Sequence, residues 1–291
     1  YRQALGDGFK IEAEVGFNPY KMGLVAGADA HSGYQANEEF NFKGGHGEID
    51  DTPQKRLNPN MTAAGVRGPI PSSAGATAVW ADENTRAGIF DGMKRKETYG
   101  TSGTLIRLRF FGGWSYPSDL LDDPDWVKKA YADGVPMGGD LPTKPSGASA
   151  PTFVVWALKD PASGNLDRIQ IIKVFRDSRL GRSVEKIYNV ALADGRTVGE
   201  DGSVEPVGNT VNVTTATYTN DIGDTELTTV WTDPDFDSTN SAAYYVRVLE
   251  IPTPRWSTYD AVRNNLPLPD IVPATIQERA FSSPIWYSPA N

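Results

Sequence analysis

The amino-acid sequence predicts an α/β part over residues 1–104, followed by a mostly antiparallel β-rich part over residues 105–291. Two observations support this division. Near the start of the chain, a helical pattern is followed by a short, continuously apolar run that is typical of a buried parallel strand. After Gly103 the apolar residues recur at every second position, which is the period of a half-buried strand. With 39% hydrophobic residues, the chain can bury a sizeable core.

The first helix is expected over residues 4–15, because Leu5 and Phe9 fall on one stripe and Gly16 suits the position after the last turn. The apolar run over residues 22–26 is too short for a second helix and is expected to form a buried parallel strand. A helix followed by a parallel strand is the second half of a βαβ unit, which requires an earlier strand. We therefore expect this chain to be the C-terminal part of a larger protein.

A long connection over residues 32–81 is rich in Gly, Asn, Asp, Pro and Ser. Connections of this length commonly form active-site lids or binding segments. A second helix is expected after Asp82, which can cap its first turn. The basic residues 94–96 suit the other end of this helix, because the helix dipole favours cations there.

The β-rich part begins where Ile106, Leu108 and Phe110 alternate with Arg107 and Arg109. Turn residues separate the later apolar segments, which suggests a sandwich-like arrangement of mostly antiparallel strands. Further strands are expected at residues 153–158, 168–175, 186–192, 211–218, 226–231 and 243–249.

Composition excludes several classes of function. The chain carries 28 basic and 37 acidic residues, and this net charge of −9 argues against a nucleic acid as its principal partner. The absence of cysteine excludes disulfides, thiolate zinc sites and cysteine nucleophiles, and leaves the compartment open between the cytosol and the periplasm or exterior. No apolar stretch approaches the ~20 residues of a membrane span.

Asp29 and His31 form the main candidate for a catalytic site and for metal binding. They follow the predicted strand over residues 22–26, at the end where α/β barrels carry their catalytic groups. A carboxylate and an imidazole two residues apart on a strand point the same way, so both can reach one cation. The alternative interpretation is an aspartate that caps the next turn and a histidine that packs against the protein.

Four further side chains are weaker candidates. His46 is the only other histidine and lies in the long connection, either as a further ligand or as a solvated side chain. Arg86, Arg107 and Arg109 are candidates for binding an anionic substrate, or they simply form polar surface. No nucleophile elbow, phosphate-binding loop or dinucleotide fingerprint is present.

Residues 21–33 resemble the last metal-binding motif of the polymerase-and-histidinol-phosphatase (PHP) superfamily. The whole chain resembles the C-terminal half of the bacterial DUF3604 family within that superfamily. The other matching segments are residues 18–21, 83–86, 93–99, 109–114, 136–141, 166–170, 244–250, 255–260, 275–280 and 283–287.

This resemblance implies a distorted (β/α)₇ barrel that binds two or three divalent cations, with Asp29 and His31 as ligands from its last strand. It also implies that an opening His-x-His motif and most other ligands lie upstream, in an N-terminal half of the same protein. The present sequence contains no His-x-His. Zinc, manganese and iron all suit mixed imidazole and carboxylate ligands.

The expected function is metal-dependent hydrolysis, with a small anionic phosphoester as the substrate. Hydrolysis of an amide, carbamate, ester or lactone is the first alternative, because a metal-activated water can attack either kind of centre. The second alternative is a non-catalytic, β-rich binding or structural module that carries a degenerate barrel.

Overall fold

A computed structural model describes residues 1–31, 33, 38–63, 65–73 and 75–289. Two antiparallel sheets pack face to face and form the body of the protein. Every strand pair in the described ranges is antiparallel, and these ranges contain no closed barrel. The expected (β/α)₇ barrel is therefore wrong, because the apolar segments pair with their neighbours in antiparallel ladders instead of alternating with helices.

The helices of the described ranges are α1 (Arg2–Val15), α2 (Pro53–Leu57), α3 (Arg86–Lys94), α4 (Trp126–Asp133) and α5 (Trp256–Arg263). None of them is long and apolar enough to cross a membrane. The strands are β1 (Thr62–Ala63), β2 (Val66–Arg67), β3 (Ala76–Val79), β4 (Thr98–Thr101), β5 (Arg107–Gly113), β6 (Gly134–Pro136), β7 (Thr152–Leu158), β8 (Leu166–Asp177), β9 (Arg182–Leu192), β10 (Glu226–Thr232), β11 (Ala242–Pro254), β12 (Thr275–Ser282) and β13 (Ile285–Tyr287).

The larger sheet has the strand order β3-β4-β12-β11-β8-β9, and β13 also pairs with β11. The smaller sheet has the order β10-β7-β5-β6. Strands β3 and β4 precede residue 105 and β12 follows it, so the larger sheet takes strands from both parts of the predicted division. Five of the six later strands lie close to their expected positions, whereas residues 211–218 form a turn with one isolated bridge.

The main core lies between the two sheets, where alternating residues of both inner faces meet. The Phe153 ring of the smaller sheet lies 4.5 Å from the Tyr244 ring of the larger sheet and stacks on Phe110 at 5.6 Å. All three side chains are at most 1% exposed. Burial of such aromatic pairs accounts for the face-to-face packing of the sheets.

Helix α1 covers part of the outer face of the larger sheet. Its Leu5 and Phe9 are buried against Ile172 and Tyr245 of that sheet, as the predicted apolar stripe requires. Gly16 ends the helix at φ 86°, a left-handed conformation that glycine adopts without steric cost.

The apolar run over residues 22–26 does not form the predicted buried parallel strand. It lies in extended form across Gly100 of β4, and its Val25 is 60% exposed. Apart from a local bond from Met22 N to the carbonyl of Tyr20, its backbone bonds in the described residues go to side chains. Leu24 donates its N–H to Ser283 Oγ at 2.8 Å, and its carbonyl accepts from Thr98 Oγ1 at 2.8 Å. The hydroxyl groups of the sheet thus satisfy a segment that has no strand partner.

The second predicted helix is present as α3, but its cap is Thr85 rather than Asp82. The Thr85 side chain accepts a hydrogen bond from Gly88 N at 3.1 Å. A hydroxyl directly before the first helical residue reaches this donor, whereas Asp82 lies too far upstream.

A buried ion pair between Lys173 and Asp233 is a test of the core. Their N···O distance is 2.6 Å, and both side chains are at most 3% exposed. Replacing Lys173 by Met leaves the Asp233 charge buried without its partner, so we expect the free energy of unfolding to fall by about 3–5 kcal/mol. The matched control is Lys129→Met, which removes an exposed partner of Asp123 and should change stability far less. Urea unfolding measures the loss in the free energy of unfolding for both variants. An equal loss in Lys173→Met and Lys129→Met would contradict this prediction.

Candidate functional site

Asp29 and His31 lie beyond the extended segment over residues 22–26, at the surface. The distance from Asp29 Oδ1 to His31 Nε2 is 3.4 Å, and the two side chains are 94% and 61% exposed. Asp29 has φ 51°, a left-handed conformation that aspartate adopts more readily than most residues. The backbone thus turns sharply at Asp29 and brings its carboxylate beside the imidazole.

His46 joins this pair, although fifteen residues separate it from His31 in the sequence. The two imidazole rings lie 4.6 Å apart between centroids, with 33° between their planes. A backbone bond from His31 N to the carbonyl of Gly45 fixes this approach at 2.6 Å. The structure therefore brings together both histidines of the chain, an arrangement that the sequence pattern alone does not specify.

Asp50 holds the turn that presents His46. Its two carboxylate oxygens accept the N–H groups of Gly45 and His46, each at 2.8 Å. The same carboxylate lies 3.7 Å from His46 Nδ1, which is too long for a direct hydrogen bond. Asp50 is thus occupied in positioning the backbone under the histidine.

The long connection is anchored to the sandwich through Arg56 of α2. Its guanidinium donates to Asp260 of α5 at 2.8 Å and to the carbonyl of Asp50 at 3.1 Å. Arg56 and Asp260 have side-chain exposures of only 5% and 12%. This buried charge pair therefore connects α5 directly to the turn that carries His46.

A pocket of about 260 Å³ opens beside these groups. Asp29, His46 and Asp50 line it, and Lys55 adds an ammonium group. Lys55 Nζ donates to the carbonyl of Glu48 at 2.5 Å and to Asp51 at 2.8 Å, so it is held at the pocket wall. The pocket is large enough for a small substrate, and its wall combines the carboxylates of Asp29 and Asp50, the imidazole of His46 and the ammonium group of Lys55.

The separation of Asp29 and His31 can be compared with the spacing of two ligands of one metal ion. Ligand bonds of ~2.0–2.1 Å at a tetrahedral angle place neighbouring ligand atoms ~3.4 Å apart, close to the separation of Asp29 Oδ1 and His31 Nε2. Within the described ranges, however, no three or more Asp, Glu or His side chains form a group that could hold a metal ion. The separation of Asp29 Oδ1 and His31 Nε2 is thus compatible with two adjacent ligands, and metal binding by these residues stays a prediction.

The three candidate arginines do not line this pocket. Arg86 begins α3 and is exposed, and Arg107 is exposed on β5. Arg109 stacks on Trp80 at 3.6 Å from the ring centroid and donates to Tyr131. These contacts give Arg109 a packing role, and the substrate role of all three arginines stays a prediction.

Positive charge gathers instead on the outer face of the larger sheet. Arg168, Arg247 and Arg279 lie on neighbouring strands, with Arg2 of α1 nearby. Burial lowers the pKa of Arg247, and the charges of the other three lower it further. Of the three strand arginines only Arg247 lies between two apolar residues, so the sequence gives little signal for this cluster, and the strand order brings the residues together.

Comparison with known proteins identifies the family. The sequence model of DUF3604, described as a protein of unknown function, matches residues 1–289. This chain belongs to the DUF3604 family. No curated protein and no solved structure matches the chain.

Replacing Asp50 by Ala tests how His46 is positioned. The change removes both acceptors of the Gly45 and His46 amides, so we expect these two amides to exchange with solvent much faster. Hydrogen exchange resolved to single residues measures this effect. Asp51→Ala is the matched control, because the Asp51 carboxylate contacts the Lys55 side chain and neither amide. If the Gly45 and His46 amides of Asp50→Ala exchange as slowly as in the unaltered protein, other contacts hold the turn.

Proposed function

We propose that this protein is a metal-dependent hydrolase of the PHP superfamily that cleaves a small phosphoester. The observation that carries the proposal is the convergence of Asp29, His31 and His46, of which Asp29 and His46 line one open pocket. The resemblance of residues 21–33 to a PHP metal-binding motif agrees with this choice of chemistry.

In this proposal, Asp29 and His31 are metal ligands. The spacing of Asp29 Oδ1 and His31 Nε2 suits two adjacent ligands, and their exposure leaves room for further ligands. The remaining ligands come from outside the described residues, and the expected N-terminal half of the same protein is the proposed source. A mixed imidazole and carboxylate set suits Zn²⁺, Mn²⁺ or Fe²⁺, with two or three ions in the complete site.

The residues of this chain have distinct roles in the proposed reaction. A bound divalent cation would lower the pKa of its water and neutralise charge on the substrate oxygens. Asp29 and His31 fix the position of the reacting centre, and His46 lies close enough to His31 to contact the substrate or hold a proton. Lys55 provides a positive charge at the wall of the pocket for an anionic substrate group.

Metal analysis of the full-length natural protein tests the ligand assignment. Asp29→Ala and His31→Ala should each lower bound metal and kcat/KM together, by about tenfold or more, because a lost ligand weakens affinity sharply. Asp82→Ala is the control, since its carboxylate is 92% exposed and does not line the pocket. If either variant folds and keeps full metal content and activity, that residue is not a ligand.

A substrate panel tests the reaction class. Phosphomonoesters, phosphodiesters, carboxylic esters, lactones, carbamates and amides are assayed on the metal-loaded full-length protein, and we expect fastest turnover of a phosphoester. Faster turnover of a carbonyl compound would move the assignment to that class, and no turnover of any compound by metal-replete protein would favour a binding module. Alanine variants of Arg86, Arg107 and Arg109 belong in the same assay, because an unchanged kcat/KM in each removes them from the substrate site.

A further inference from the structure

A second, strongly acidic cavity lies where the long connection meets the end of the larger sheet. Its volume is about 40 Å³, which is room for roughly two or three water-sized particles. Four carboxylates line it, from Glu38, Glu39, Asp160 and Glu278. Among the described residues, no lysine, arginine or histidine lines this cavity. The cavity wall in the described residues therefore carries four carboxyl groups and no basic side chain.

Glu278 of β12 is the most unusual residue of this cavity, because its carboxyl group is buried. It is 4% exposed, and no N–H or O–H group of the described residues donates to its buried Oε1, while its carboxyl lies within hydrogen-bonding reach of the Glu39 carboxyl. Its other oxygen accepts from Ser102 Oγ. A buried polar atom without a partner costs free energy, and native structures retain one where it has a role or binds an ion or water.

The carboxylates of Glu39 and Asp160 are both supported by donors. Glu39 accepts from Ser73 Oγ at 2.7 Å and from the Trp256 amide. Asp160 accepts the N–H groups of Leu105 and Ala162 at 2.7 and 2.9 Å. These bonds fix Glu39 and Asp160 in place, whereas Glu278 Oε1 receives no N–H or O–H donor from the described residues.

Glu250 adds a further buried charge behind the cavity wall. A register shift in β11 between Leu249 and Glu250 accompanies the burial of this side chain, which is 0% exposed. Its carboxylate accepts from Thr104 Oγ1 at 2.5 Å and from Ser163 Oγ, and both of these hydroxyl residues line the cavity. Hydroxyl oxygens therefore lie among the carboxylates as additional neutral ligands.

The charged side chain of Arg255 lies near Glu39 and Glu278 but does not line the cavity. The Arg255 guanidinium donates to the carbonyls of Ile70 and Pro71 and to Ser257 Oγ, and it makes no ion pair within the described ranges. Burial lowers the pKa of Arg255, while the charges of Glu39 and Glu278 act in the opposite direction.

We propose that this cavity is a binding site for a hard divalent cation such as Ca²⁺, held by Glu278 Oε1 and Glu39, with hydroxyl groups and water completing the shell. A set made only of oxygen ligands selects such cations. Two carboxylates suffice in this arrangement because neutral oxygens supply the other positions. Half-buried Glu38 and exposed Phe40 line the cavity beside the surface, so they mark the entry for an ion.

The proposed ion has a structural consequence. Glu39 belongs to the long connection and Glu278 to the sandwich, so one cation between them joins the two. Ser73, which donates to Glu39, directly follows Pro71 and Ser72 of the histidine pocket wall. The cation would therefore stiffen the segment that frames the proposed catalytic pocket.

Terbium luminescence tests the proposal on the purified full chain. Tyr218 and Tyr259 line the cavity and can sensitise bound Tb³⁺, which replaces Ca²⁺ in oxygen-ligand sites. We expect sensitised emission that Ca²⁺ displaces, one bound Ca²⁺ per chain in equilibrium dialysis, and a rise in Tm with Ca²⁺ but not with added Na⁺. Absence of both Ca²⁺ binding and the Tm shift in the unaltered protein would overturn the proposal.

Two variants locate the site. Glu278→Gln keeps the shape of the side chain and removes its charge, so we expect Ca²⁺ affinity to fall by about tenfold or more. Glu97→Gln is the matched control, since Glu97 is equally buried but lies outside this cavity. Ca²⁺ affinity should also survive Asp29→Ala, which separates this site from the proposed catalytic metal. Unchanged Ca²⁺ affinity in a folded Glu278→Gln protein would overturn the assignment.

Discussion

The register of strand β11 is the constraint on which the other parts of the structure depend. It pairs with β8 along one edge and with β12 and β13 along the other. Its inward residues, including Tyr244 and Val246, lie in the core between the sheets, so a slip by one residue would turn them to the opposite face. The strand then bulges at Leu249 and leads into α5, which anchors the long connection. The register of β11 therefore determines the core packing, the burial of Glu250 and the position of the candidate pocket.

Buried polar contacts, rather than a large apolar core, hold the candidate site against the sandwich. Arg56 bonds Asp260, Arg255 bonds two carbonyls, and Glu39 accepts the Trp256 amide. Such contacts are strong when every partner is satisfied and costly when one is missing. This is why Glu278 Oε1 in the same region, which receives no donor from the described residues, has functional interest. It also explains how a long connection with few apolar residues keeps a defined shape.

The prediction of a barrel was wrong for an identifiable physical reason. A short apolar run flanked by a helix and by Asp29 predicts a parallel strand only if a neighbouring backbone is available to pair with it. Here hydroxyl groups of Thr77, Thr98 and Ser283 satisfy the run across the sheet face. Sequence periodicity reports which residues are apolar, and it does not report whether hydrogen bonds come from backbone or side chains. The antiparallel segments were predictable because their alternation reflects one buried face.

The sequence by itself determined helix α1 with its Gly16 end, most strands of the β-rich part and the nomination of Asp29 and His31 as a pair. These features depend on spacing within a few residues, and local spacing is what a sequence displays. Only the tertiary structure decided that His46 reaches His31, that the arginines gather on the outer face and that Glu39 meets Glu278. Each of these contacts joins segments far apart in the chain, and the strand order and the buried Arg56–Asp260 pair bring those segments together.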